Sequence, residues 1–163
     1  MQLLISDSNI LIDMEVSNLT QKMFELPYSF AVPDILYYEE LEEEHEDLLL
    51  LGLKVLSMSS KTIKYMESIV LLYRQASRND LFALALAKQE ACPLVTGDGA
   101  LRKAGEKEAV IILGTIWIVD ELIKYDVISR DEAKEAYEIM RANKRRLPWN
   151  LIEEKHRISE SIK

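Results

Sequence analysis

The chain has 163 residues, 48% of them apolar and 29% charged, the balance of one ordinary globular domain large enough to bury a core without staples. Its single cysteine, Cys92, excludes an internal disulfide, and no Cys/His spacing suggests zinc. A net charge of −8 argues against non-specific nucleic-acid binding through a basic surface, though not against an enzyme whose carboxylates gather divalent cations.

In chain order, the sequence opens on a short apolar run, Leu3–Ile5, that stops at Asp7-Ser8-Asn9 before apolar residues resume at Ile10. An aspartate there reads either as a helix N-cap, accepting free amides of the next turn, or as a ligand held at the end of a strand. A second run, Ser29–Val32, is closed by Pro33, which suits a first helical turn before Ile35, Leu36, Tyr37 and Leu41. The dense acid of Glu39–Asp47 reads as the solvated face of that helix. The third run, Leu53–Met58, is entered through Gly52. From Thr62 to Gln75, apolar residues at Ile63, Met66, Ile69, Val70 and Tyr73 recur at helical spacing.

Ser77 reads as an N-cap with Asp80 three residues on, a variant capping box. It opens Leu81–Ala87, apolar nearly all round and so expected to be buried. The fourth run, Pro93–Thr96, ends at Gly97, and the fifth, Ala109–Leu113, at Gly114. A helical stretch at Asp120–Tyr125, a helix capped by Ser129 with Glu132 at its third position, and a peripheral helical segment from Leu147 follow. Short apolar runs alternating with helices predict β/α crossovers. The expected fold is α/β in three layers, a central parallel sheet of about five strands flanked by helices. We expect a single domain over 1–163, with 128–163 a C-terminal helical extension.

The two strand ends then invite comparison. Asp98 follows the fourth run as Asp7 follows the first, and in open α/β sheets ligands bind at that edge. The pair therefore fits one crevice. Asp80 begins the most buried helix, where the helix dipole gives a structural reason for it and a metal would give a functional one. The stretch "PDILYYEELEEE" adds Glu39, Glu40 and Glu43.

Taken together, "SDSNILID", "VPDILYYEEL", "SRNDLFALALAKQEACPLVTGD" and "GALRKAG" resemble the successive motifs of the PIN domain, over about residues 1–120. The following "VIILGTIWIVDELIKYDVIS" is similar to the C-terminal part of small prokaryotic PIN-like proteins, including relatives of toxin–antitoxin nucleases. The resemblance implies a Mg²⁺- or Mn²⁺-dependent ribonuclease, with Asp7, Asp80 and Asp98 as catalytic metal ligands. The family's helix glutamate usually precedes a hydrophobic residue, which selects Glu40 before Leu41. Spacing from Pro33 suits Glu39 instead, and Glu43 is a third candidate. Asn9 and Thr96 match small polar positions that the family keeps beside the metals. An RNA substrate is implied, and with it an antitoxin protein and a homodimer as partners. The chemistry agrees: phosphodiester hydrolysis needs an activated water and relief of growing negative charge, and hard cations on oxygen ligands provide both. No histidine is required, and His45 and His156, outside every motif, read as surface residues.

Arg74, Arg78, Arg102 and Lys103 flank the Asp80 and Asp98 motifs, Arg78 and Arg102 being the leading candidates for holding nucleic-acid phosphates, with plain solvated charge as the equal alternative. The basic cluster Lys144-Arg145-Arg146, with Trp149 after it, could meet RNA or a partner protein. Among rival readings, an aspartyl phosphatase needs a second acid two residues beyond the first, where this chain has Asn9. A receiver or nucleotide-binding domain is disfavoured because no glycine-rich phosphate loop is present. A PIN-like module that binds RNA or protein without cutting is the alternative that keeps the fold. No apolar stretch approaches the ~20 residues of a membrane span, and the N-terminus lacks a signal-peptide pattern, so a cytoplasmic location without membrane contact is expected.

Overall fold

A computed structural model describes residues 1–162 of the chain; the last residue of the expected extension, Lys163, lies outside the described residues. The elements are β1 (Gln2–Ser6), α1 (Ser8–Val16), α2 (Thr20–Met23), β2 (Tyr28–Pro33), α3 (Asp34–Leu36), which passes into a π-helical turn at Tyr37–Leu41, and α4 (Asp47–Leu51). They continue with β3 (Lys54–Leu56), α5 (Ser60–Leu72), α6 (Arg78–Gln89), β4 (Leu94–Val95), α7 (Gly99–Lys107) and β5 (Ile112–Leu113). Three further helices, α8 (Thr115–Lys124), α9 (Arg130–Ala142) and α10 (Trp149–Ile162), follow.

All five strands are parallel, in the order β3-β2-β1-β4-β5. The chain winds outward from β1 to β3, then returns to the other side of β1 for β4 and β5. The reversal at β1 and β4 opens a crevice beyond their carboxyl ends. Helices α3, α5, α6 and α7 pack with one another, as do α1, α2, α8 and α9, so the sheet is flanked by helices as expected. Leu4, Ile5, Phe30, Ala31, Val32, Leu94 and Val95 are buried strand residues of the core. Every residue from Leu81 to Ala87 is buried, and α6 lies against β1, β2 and β4. Its alanines let a helix backbone come close to the sheet.

The structure corrects several sequence boundaries, each for a visible reason. The third strand starts after Leu53, because Gly52 at φ 120° turns the end of α4 and the Leu53 N–H bonds back to the Leu48 carbonyl at 3.0 Å. The fifth starts after Val110, because Ala109 adopts φ 59° and the Val110 N–H returns to the Gly105 carbonyl at 2.9 Å, closing α7. The helix carrying the acidic run stops at Leu41, so Glu42–Glu46 form turns rather than one long helical face. Neither histidine is a simple surface residue: both are half-buried, His45 Nδ1 lies 2.6 Å from the Glu15 carboxylate, and His156 packs on Tyr137.

The Ser129–Glu132 capping box forms in full. Helix α10 is mostly exposed but seats Ile152 in the core. Among the described residues, no helix is long and apolar enough to cross a membrane.

Candidate active site at the carboxyl edge of the sheet

Asp7 stands where β1 hands over to α1, at the centre of the sheet. It is both of the things its sequence context allows. Its Oδ1 accepts the Ile10 N–H at 3.0 Å, the N-cap bond that starts α1. Its Oδ2 accepts the Thr96 hydroxyl, which reaches across from the end of β4. Yet the side chain is 0% exposed. Burial pushes the Asp7 carboxyl up from 3.8 to about 7, further helped by the nearby charges of Asp80 and Asp13, while the Thr96 and Ile10 bonds pull it back. A surface cap would need none of this burial.

Asp98 caps α7 from the next strand over, with its Oδ2 accepting the Leu101 N–H at 3.1 Å. Its own N–H bonds the Thr96 hydroxyl oxygen at 3.1 Å, so one threonine orients both aspartates. Asp80 lies in the first turn of α6, behind the Ser77 cap. Its carboxyl is raised mainly by desolvation, then by the charges of Asp98 and Glu40, against the lowering bonds from Ser77. Asp80 is thus the electrostatic hub, close enough to sense Asp7, Asp98 and Glu40.

All three candidate glutamates are exposed, and Glu40 is the one that reaches the end of β1: the Ser8 hydroxyl, one residue past Asp7, donates to its Oε1 at 3.3 Å. Asn79 Nδ2 donates to Glu40 at 3.3 Å and to Glu39 at 3.0 Å, which holds Glu39 at the outer rim. Glu43 is exposed, beyond the π-helical turn. Such turns recur at functional sites because they re-aim side chains. The other expected residues divide. Asn9 is exposed on the rim, beside Arg145, whose Nη2 approaches its side-chain oxygen at 3.4 Å. Arg102 is exposed next to Gly97 and Gly114. Arg78 instead lies over the Phe82 ring of its own helix, 5.6 Å from its centre.

Sequence reasoning gave no site role to Asp13, Ser8, Asn79 or Thr115, and read Arg145 only as one member of a basic cluster. Asp13 is a buried charge on α1, bonded by Thr115 at 2.9 Å and by Arg145 Nε at 2.6 Å. Its signal was a carboxylate inside the apolar stretch "ILIDM", which cannot be buried without a partner.

A family model, DUF3368, described as PIN domain, matches residues 3–161. The chain belongs to the PIN domain family. No curated protein matches the sequence significantly. Among solved structures, the crystal structure of VapBC2 from Rickettsia felis bound to a DNA fragment from their promoter contains a similar chain. The match has a TM-score of 0.50 and 16% identity, covering 69% of this chain and 98% of that one. At this identity the likeness bears on the fold.

Whether this PIN domain suits a divalent metal can be judged from its own donors. Asp7, Asp80, Asp98 and Glu40 offer only carboxylate oxygen, the donor that Mg²⁺ and Mn²⁺ favour over softer metals. Two of them have carboxyls raised by burial and mutual repulsion, a cost that a cation would relieve. Among the described residues, no three acid, histidine or cysteine side chains are drawn together into a closed coordination set. The donor chemistry fits a hard cation.

Proposed function

We propose that this PIN domain is a Mg²⁺- or Mn²⁺-dependent ribonuclease whose acids are Asp7, Glu40, Asp80 and Asp98. The observation that carries the reading is Asp7: a carboxylate fully buried at the sheet's switch point, near the charges of Asp80 and Asp13 and, among the described residues, with no basic partner of its own. A divalent cation held there would supply a Lewis acid that generates a nucleophile from water and balances the charge developing on phosphate. The chain's own part is to hold and aim the ligands. Thr96 fixes Asp7 and Asp98 relative to each other, the Ser8 hydroxyl ties Glu40 to the end of β1, and Ser77 fixes the first turn that carries Asp80. A cation held at Asp7 would need its carboxylate form, so binding would strengthen as pH rises through about 7. The family's toxin–antitoxin relatives, and a structural neighbour described as VapBC2 on its promoter DNA, support an antitoxin partner as part of the same proposal.

A second reading, a silent module that binds RNA or protein, draws on the spread of the carboxylates. A cleavage assay on single-stranded RNA separates the two. Wild type should cut with Mg²⁺ or Mn²⁺ and stop on chelation, and Asp98→Asn should lose most of the rate. Equal cutting by both proteins would place the activity elsewhere. No cutting by wild type across varied RNAs and metals would favour the silent module.

A further inference from the structure

The basic cluster Lys144-Arg145-Arg146 returns from α9 to the acidic crevice. Lys144 adopts φ 58°, ending α9 and sending the chain across the carboxyl edge of the sheet. There Arg145 is used inward. Its Nε bonds Asp13 Oδ1 at 2.6 Å, and its Nη2 bonds the Asn9 carbonyl at 3.3 Å. Thr115, the first residue of α8, completes the anchor on Asp13 Oδ2. A buried carboxylate held by an arginine and a hydroxyl is costly to break, because either partner alone would be an uncompensated charge. The anchor therefore fixes the segment in place.

The residues on either side of Arg145 face the other way. Lys144 and Arg146 are exposed, and among the described residues neither side chain has a hydrogen bond or ion pair with the protein. Both line a cavity of about 400 Å³ whose other wall includes Asn9, Gly97 and Asp98. Through Gly97 and Arg146 this cavity joins a second, of about 650 Å³. The second holds Arg102 and an apolar wall that includes Trp117, Leu147 and Pro148, with Trp117 packed 5.2 Å from Tyr28. Three free cations beside an aromatic and apolar wall are the elements of single-strand recognition: charges for the backbone and a flat surface for unpaired bases. An acidic peptide brings the same charges, so a poly-glutamate peptide set against RNA distinguishes the two.

We infer that Lys144 and Arg146, held outward by the Arg145–Asp13 anchor, form with Arg102 a phosphate-binding lip along which single-stranded RNA runs out of the acidic crevice. The inference rests on the ribonuclease reading and names the path of its substrate. Each cation replaces condensed counterions on one phosphate, so its loss weakens binding uniformly across sequences and flattens the salt dependence.

The test is fluorescence anisotropy of a short labelled RNA with the full chain in Ca²⁺, which occupies oxygen sites, at several KCl concentrations. Relative to wild type, Lys144→Gln/Arg146→Gln should bind about tenfold more weakly. The slope of log K on log salt should be smaller by about 1.4, near 0.7 for each single-strand contact, with an unchanged melting temperature. Two RNAs of different sequence should lose affinity alike. Asp13→Asn/Arg145→Gln, which neutralises the anchor without leaving a buried charge, should lose affinity similarly although both lip cations remain. Wild-type affinity and slope in the Lys144/Arg146 variant would overturn the lip and leave the ribonuclease reading standing. Wild-type binding by the Asp13/Arg145 variant would overturn the anchor's role. If a poly-glutamate peptide loses affinity in the lip variant while RNA does not, the assignment to RNA is overturned. RNA that binds with the expected signature but is never cut would overturn the ribonuclease reading and leave the lip.

Discussion

Replacing Asp7 by asparagine should make the metal-free protein more stable, and only above acidic pH. In the unfolded chain an aspartate near 3.8 is ionised at pH 5, whereas the buried Asp7 keeps its proton until about pH 7. The native state therefore holds more protons than the unfolded state between those values. Stability must fall as pH rises through that window and then level off. At about 1.4 kcal/mol per pH unit, the full cost of ionising Asp7 is about 4 kcal/mol, with about 2–3 kcal/mol of it falling between pH 5 and pH 8. Asp7→Asn cannot ionise, and its amide oxygen can keep the Ile10 N–H. Its stability relative to wild type should thus improve by about 2–3 kcal/mol from pH 5 to pH 8, the other carboxylates being common to both. Urea unfolding in EDTA at the two pH values measures this. In Mn²⁺ at a hundredfold Kd, wild type alone should gain about 2.7 kcal/mol. Parallel pH profiles for the two proteins in EDTA would refute the buried, repelled carboxylate.

Two further substitutions probe the aim of the site. Thr96→Val keeps the shape but removes the Asp7 donor and the acceptor for the Asp98 N–H. It should cost about 1–3 kcal/mol by thermal or urea unfolding, and should weaken Mn²⁺ binding at pH 7 more than at pH 9, because the Asp7 carboxyl rises further. Glu40→Gln should lose most of the cleavage rate while Glu39→Gln loses little, since it is Glu40 that the Ser8 hydroxyl ties to the end of β1; the opposite ranking in a side-by-side assay would exchange their roles.

The fold was legible because its signals are local. Short apolar runs between Gly and Pro gave all five strands, and the all-apolar Leu81–Ala87 gave the buried helix under the sheet. Asp7, Asp80 and Asp98 were legible as acids at strand ends and a helix start, positions that the topology brings to one edge. Choosing among glutamates was not, because the π-helical turn at Tyr37–Leu41 rotates the side chains and leaves no mark in spacing. The strand edges at Leu53 and Ala109 slipped for a related reason: apolar residues that close a helix look like those that open a strand. Asp13 and Arg145 are 132 residues apart, and only the folded chain pairs them. The pairing gives Arg145 a structural role that the cluster's sequence did not show.

Under the proposed function, Asp7, Glu40, Asp80 and Asp98 together hold a divalent cation. Crystals soaked in Mn²⁺ and measured for anomalous scattering would locate it. The strongest peak is expected in the crevice between β1 and β4, within ligand distance of Asp7 and Asp98, and is expected to vanish in crystals of Asp98→Asn. A strongest peak at the exposed acids of Glu42–Asp47, with the crevice empty, would contradict the proposal.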